Sequence, residues 1–237
     1  MSSEYLLLLA IISMTIFVTV RSKKLTFEAA LVGGLLGIFI FMGAGFTGIS
    51  MIAAFFILGT AATSWKGSYK TVAGIAEANK GRRTAQQVLA NTALAGVLGL
   101  LVYFRPDQSA ILRVLMAGCF SAAMADTLSS ELGNIYGSRY YNITSFKKEE
   151  RGLNGVVSVE GTLFGIAGSC LVAAIYCLGF GWSLEFFWIV IAGTVGNLAD
   201  SLLGATLERR GVLNNNMVNF LNTLVGAVVG MGLACLL

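Results

Sequence analysis

Three features of this 237-residue chain predict an all-α, polytopic membrane helix bundle with about eight transmembrane helices. It is 56% hydrophobic and 12% charged, with a mean hydropathy of +0.79, whereas soluble domains carry about 25% charged residues. Apolar runs of roughly 20 residues, the length that crosses a bilayer core, recur along it. Its basic residues collect in alternate loops between those runs. The 29 Gly and single Pro suit helices that approach closely through small residues. The chain reads as one integral-membrane domain, 1–237, with three helices over 1–64 and the motif-bearing helices over 65–237.

The runs cover 4–20, 26–43, 46–64, 87–104, 109–127, 156–180, 184–204 and 217–236. The first lacks a basic leader, and Arg21-Ser22-Lys23-Lys24 follows it where a signal peptide would need small residues, so it is a retained helix. The second and third are parted by Gly43-Ala44-Gly45. The polar stretch from Trp65 to Gln86 suits a helix lying at the interface. Cys119, Cys170, Cys177 and Cys235 sit inside apolar runs without a CxxC pair, which supports neither a zinc site nor a disulfide framework.

Eight crossings put alternate loops on opposite sides. All of the 16 Lys and Arg except Arg105 and Arg113 then fall on one side. The positive-inside rule makes that side cytoplasmic and places both termini outside. The charge of +4 is explained by this topology, and no nucleic-acid partner is expected. The expected location is an integral membrane, the plasma membrane if the chain is prokaryotic, with the site facing the cytoplasm.

The same side holds nearly all polar clusters: RRTAQQVLAN from Arg82, ADTLSSELG from Ala125, RGLNGVVSVEGT from Arg151, GNLADSLLGA from Gly196 and NNNMVNFLNT from Asn214. Spacings of three and four align residues on one helix face. Asp126, Ser129, Ser130 and Gly133 share such a face, as do Asn197, Asp200, Ser201 and Gly204. Ser158, Gly161, Thr162 and Gly165 form a third stripe, and Asn219, Asn222, Thr223 and Gly226 a fourth. Arg83, Gln87 and Asn91 step by four along another face. Hydroxyl and small residues also serve as packing glue between membrane helices. Acids are different: an ionised carboxylate near a helix centre costs about 2.5–3.5 kcal/mol on insertion scales. Asp126, Glu131, Glu160 and Asp200 together therefore point to a site. Pairing with Arg82 or Arg83 is the structural alternative.

Hard oxygen ligands favour Mg²⁺ over zinc, and a chain with no His lacks His-based acid–base chemistry. Helix starts near Gln86, Val156 and Met217 would offer free N–H groups to anions. No GxxxxGK[ST] loop is present.

At GRRTAQQVLANT, ADTLSSELG, GLNGVVSVEGTLFG, GNLADSLLGATLE and NNNMVNFLNT the sequence resembles the phytyl-phosphate kinase family of tocopherol salvage, which includes many uncharacterised bacterial and archaeal membrane proteins. The resemblance spans about Lys80 to Gly226. It implies transfer of a γ-phosphoryl group from a nucleoside triphosphate, CTP above all, to an isoprenoid monophosphate, giving the diphosphate. By position it makes Asp126, Glu131 and Asp200 the catalytic and Mg²⁺-binding candidates. Arg82, Arg83, Gln87 and Asn91 would hold phosphates, and Asn154, Ser158, Glu160 and Thr162 fall in its Gly-rich turn. Asn215, Asn219 and Asn222 match its asparagine-rich stretch. Ser130, Asn197 and Ser201 complete the substrate-binding candidates. Relatives often carry an acid where this chain has Asn216 or Met217, and a Gly where it has Thr84. The first three helices resemble nothing specific. The prenyl tail would lie among apolar helices and enter from lipid. A secondary transporter and a CDP-lipid-forming cytidylyltransferase are the alternatives, and a non-catalytic scaffold is a third.

Overall fold

The computed structural model describes residues 3–235. Leu236, the last residue of the final expected span, lies outside them. In chain order come α1 (Ser3–Arg21), α2 (Phe27–Ser64), α3 (Gly67–Val72), α4 (Ala85–Phe104), α5 (Ser109–Tyr136), α6 (Val159–Phe180), α7 (Glu185–Leu203) and α8 (Asn215–Ala234). A 3₁₀ turn at Ala78–Gly81 precedes α4. Two short strands, β1 (Tyr141–Asn142) and β2 (Val156–Val157), pair antiparallel in the loop between α5 and α6. A π turn at Gly204–Glu208 extends α7.

Among the described residues, seven helices are long and apolar enough to cross a membrane, and α2 does so twice. A straight helix of 38 residues would be about 57 Å long. Yet Lys24 Nζ, just before α2, donates to Ser64 Oγ at its far end over 2.9 Å. The reversal is at Gly45, whose φ of 56° and ψ of −146° break the helix. Only glycine adopts such a backbone without strain. The limbs 27–44 and 46–64 are the second and third expected spans, and the bundle has about eight crossings as the sequence predicts.

Helix starts follow their capping residues. Thr84 and Gln87 close a capping box on α4. Ser158 Oγ accepts from Gly161 N at 3.0 Å to start α6, and Asn214 Oδ1 accepts from Met217 N at 3.0 Å to start α8. Each satisfies a backbone donor that the first turn leaves free.

The axis of the bundle is α5, which packs against α2, α4, α6, α7 and α8. Its residues Met116 to Ala125 are buried throughout. Small residues let the backbones close in: a Cβ on Gly118 would lie 2.6 Å from the Gly226 carbonyl oxygen, and one on Gly43 would lie 2.6 Å from Gly99. Outward-facing Leu7, Phe17, Phe104, Leu178 and Phe187 are exposed, which fits contact with lipid rather than water. The loops 22–26, 65–84, 137–158 and 204–214 gather at one end, called here the polar end. Both ends of the described chain lie opposite it: Tyr5 packs on Phe41 near the α2 turn, and Gly230 lies beside Val114 at the start of α5. The four cysteines are free.

Candidate active site at the polar end

A cleft of about 170 Å³ opens at the polar end between α5, α6, α7, the start of α8 and the 152–158 loop. Asp126, Ser129, Ser130 and Gly133 of α5 line it on one side. Asn197, Asp200, Ser201 and Gly204 line it from α7. These are the first two helical stripes, turned toward one another. α5 runs to Tyr136, nine residues past the expected end of that span, so Asp126 and its stripe lie well inside a helix.

The Asp126 and Asp200 carboxyl groups face each other at close range. Among the described residues, the buried Asp200 Oδ2 has no hydrogen-bond partner. The fully buried Asn222 amide lies beside it, its Oδ1 and Nδ2 also without well-formed hydrogen bonds. Burying polar atoms unpartnered costs about 1–3 kcal/mol each, so this cluster is kept against stability. Ser158 caps α6, Ser130 Oγ donates to the Thr127 carbonyl at 3.2 Å, and Asn215 lies on the rim.

The 137–158 loop covers the cleft and is tied at both flanks. Arg209 donates through Nε to the Asn154 carbonyl at 2.6 Å and through Nη2 to Glu149 Oε2 at 2.7 Å. The Arg209 hydrogen bond holds the Glu149 carboxyl below its ordinary pKa. Arg151 Nη1 donates to Tyr69 Oη at 2.6 Å and to the Asn134 carbonyl at 3.2 Å. Gly155 has a φ of +74° and lies so close that any Cβ would collide with the Ala205 backbone. The loop rests directly on the π turn there.

Several expected site residues lie elsewhere. Glu131 pairs with Lys70, a side chain only 2% exposed, and does not line the cleft. Five residues along a helix turn a side chain by about 140° from Asp126, so Glu131 faces α3 and α2 instead. Lys70 Nζ also donates to the Ala62 carbonyl at 2.8 Å. Arg83, Gln87 and Asn91 lie across α5 from the cleft, facing α1 and α2. Gln87 Nε2 donates to Glu77 Oε1 at 3.2 Å, and Asn91 Nδ2 to the Gln87 carbonyl at 3.0 Å. Burial pushes the Glu77 carboxyl above its ordinary pKa, with the Arg83 charge pulling it back. Arg82 Nε donates to the Leu25 carbonyl at 3.2 Å, locking the α1–α2 loop to the start of α4. Glu160 accepts from Ser138 Oγ at 2.6 Å. Thr162 Oγ1 donates back to the Ser158 carbonyl at 3.1 Å. Asn219 lies outside the cleft lining.

Glu208 lines the cleft beside Asn154, and sequence periodicity does not reveal it. An uninterrupted α-helix would turn it about 80° from Asp200. The π turn alters that phase, and such turns are frequent at functional sites.

The lining thus carries Asp126, Asp200 and Glu208 and no Lys or Arg. A phosphate group could enter such a cleft only with a cation. Among the described residues no three acidic or thiol side chains converge on a point. A divalent ion at Asp126 and Asp200 would complete its shell from neutral oxygens, water and ligand phosphates. Mg²⁺ binds that way, through one or two carboxylates plus phosphate oxygens, and the unpartnered Asp200 Oδ2 fits it.

The fold and cleft define a polytopic membrane protein with a one-sided acidic site. The chain belongs to the integral membrane family DUF92, whose model matches residues 10–227. It is 35% identical to Protein VTE6, chloroplastic, of Arabidopsis thaliana over 204 residues, covering 83% of this chain. It spans 61% of the length of that relative. It is 34% identical to the membrane protein sll0875 of Synechocystis, covering 84% of this chain and 78% of the relative. With MJ0933 of Methanocaldococcus jannaschii it shares 33% identity, covering 92% and 89%. No solved structure matches the chain.

Proposed function

We propose that this protein is an Mg²⁺-dependent membrane kinase that transfers the γ-phosphoryl group of a nucleoside triphosphate, CTP above all, to an isoprenoid monophosphate. The observation that carries this reading is the facing pair Asp126 and Asp200 in a cleft without a basic residue. Its resemblance to the phytyl-phosphate kinase family at those same segments supports the substrate class.

Phosphoryl transfer depends on positioning and charge neutralisation more than on covalent chemistry. Asp126 and Asp200 would hold the ion, with Asn222 and the Ser129 and Ser201 hydroxyls nearby. Bound there, Mg²⁺ would offset the charge of the donor phosphates. The α6 and α8 N-termini, at Ser158 and Asn215, open on the cleft and offer N–H groups to phosphate oxygens. The 152–158 loop, held by Arg209 and Arg151, would sit over the nucleotide and keep water out. An oxygen of the acceptor phosphate attacks the γ-phosphorus, and the bond to the β-phosphate oxygen breaks to release the nucleoside diphosphate. The acceptor is already anionic, so no general base is required, in keeping with a chain that contains no His.

The cleft is proposed to face the cytoplasm. The polar end carries the loops that hold every Lys and Arg but Arg105 and Arg113, the bias that faces inward in membrane proteins.

The test is an assay of purified protein with labelled CTP, ATP or UTP against phytyl, geranylgeranyl and farnesyl monophosphates. A prenyl diphosphate plus a nucleoside diphosphate is the expected result. A CDP-lipid with pyrophosphate would make it a cytidylyltransferase. Uptake of a substrate into liposomes without turnover would make it a transporter.

A further inference from the structure

We infer that the apolar cavity between α1, α2 and α4 seats the hydrocarbon tail of an isoprenoid monophosphate, with Arg83 at its polar end receiving the phosphate. This rests on the kinase reading of the cleft on the other side of α5.

The cavity holds about 610 Å³, within the 300–1,000 Å³ of small-molecule sites, and opens outward past the exposed Met14, Val18 and Ile57. Ile11, Thr15, Gly33, Gly37, Phe56 and Val88 are among its walls. It follows the first limb of α2 from Ala30 to Gly37, about 10 Å of helix rise. Its walls are almost wholly apolar except at the polar end, where Arg83, Gln87 and Asn91 enter. Gly33 and Gly37 lie on one face of α2, and a Cβ built on Gly37 meets nothing within 4 Å. The glycines therefore hold this space open, where Gly43 and Gly99 on the same helix pair permit close packing.

Arg83 selects what fills it. The guanidinium lies over the Phe55 ring at 5.0 Å and beside Phe56 at 6.0 Å. Among the described residues it has neither a carboxylate at ion-pair distance nor a side-chain hydrogen bond. Glu77 and Glu131 are near enough to act on its charge, yet neither reaches ion-pair distance: Glu131 bonds to Lys70 and Glu77 accepts from the Gln87 amide. A half-buried cation without an ion-pair partner, at the head of an apolar chamber, suits an amphiphile with a compact anionic head. The head would also reach α5, on the face turned away from the cleft. A Cβ on Gly59 would lie 2.6 Å from Arg83 Nη2 and 3.4 Å from Thr127 Cγ2, which puts the guanidinium against α5 one residue from Asp126. The charge sits at one end of the apolar volume, and α5 alone separates it from the acidic cleft.

The test uses full-length protein in lipid nanodiscs without nucleotide and a prenyl monophosphate carrying a diazirine at the tail end. Photolabel is expected on α1 and the 27–44 limb of α2. Unlabelled prenyl monophosphate should displace it at least about tenfold better than prenyl alcohol or phosphatidylglycerol, as a charge-assisted contact to Arg83 requires. Arg83→Gln should remove that advantage. Gly37→Leu fills open space, so folding is retained, and it should shift preference from phytyl to farnesyl monophosphate by about tenfold. Label confined to α6–α8, or equal displacement by phosphatidylglycerol, would overturn the inference. Selective displacement without any nucleotide turnover would keep this seat and reject the kinase reading alone.

Discussion

Asp126 on α5 and Asp200 on α7 point their carboxyl groups at each other, and Asp200 Oδ2 has no hydrogen-bond partner among the described residues. Two like charges held in a low-dielectric site destabilise it unless a cation intervenes. Asp126→Asn and Asp200→Asn are therefore expected to fold, and to melt at or above the wild-type temperature in chelator. Each should lose phosphoryl transfer by about a hundredfold or more together with Mg²⁺-induced thermal stabilisation. Melting curves with and without Mg²⁺ check this. Undiminished Mg²⁺ stabilisation in both variants would move the ion elsewhere.

The loop over the cleft hangs on Arg209, through its bonds to Asn154 and Glu149. Exposed ion pairs contribute only about 0–1 kcal/mol to global stability. Arg209→Ala should thus leave the melting temperature nearly unchanged while loosening residues 138–158. Hydrogen exchange should speed up there and not in α5. The nucleotide KM should rise by about tenfold with a smaller change in kcat, since ordering of a positioning loop is lost. Unchanged exchange in the loop would show that Arg151 and the Gly155 contact hold it alone.

Much of this arrangement can be read in the residue order. The Gly43-Ala44-Gly45 turn, the capping residues Thr84, Ser158 and Asn214, and the α5 and α7 stripes all follow from local chemistry. The i, i+3, i+4 spacing puts Asp126 with Ser129 and Asp200 with Ser201 because helical phase is fixed by the backbone. What spacing cannot reveal is which neighbour a stripe meets. Arg83, Gln87 and Asn91 form a true stripe, yet it faces α1 and α2 because α4 packs on α2 from the far side of α5. Lys70 looks like an interfacial lysine of a polar stretch, and it turns inward because Glu131 waits there. Glu208 reaches the cleft only through the π turn, a change of phase that no periodic template contains.

Close backbone approach predicts a second kind of lesion. A Cβ on Gly118 would fall 2.6 Å from the Gly226 carbonyl oxygen, and both neighbours are helix backbone that cannot step aside. Gly226→Val should force α8 away from α5 and cost about 1–3 kcal/mol or more. Asn222, one turn earlier on α8, would move with it. Gly232→Val on the same helix meets open space and should be silent. Unfolding in detergent titrated with denaturant compares the two. Equal stability of both variants would refute the contact.

Lys70 and Glu131 decide whether the second acidic residue of the ADTLSSELG segment acts structurally. Lys70 is 1% exposed and bonds to Glu131 and to the Ala62 carbonyl. Removing one partner of a buried pair leaves an uncompensated charge and costs about 3–5 kcal/mol, whereas replacing both with apolar residues of similar size is often neutral. Glu131→Gln and Lys70→Met should each destabilise strongly. The double variant Lys70→Met with Glu131→Leu should regain most of the stability and, with α3 and α5 again in register, most of the phosphoryl transfer. A metal-ligating Glu131 behaves differently: the double variant would then recover stability while activity stayed at the level of Asp126→Asn. Thermal melts and product assays on the four proteins separate the two roles, because only the structural role lets a hydrophobic pair stand in for an ionic one.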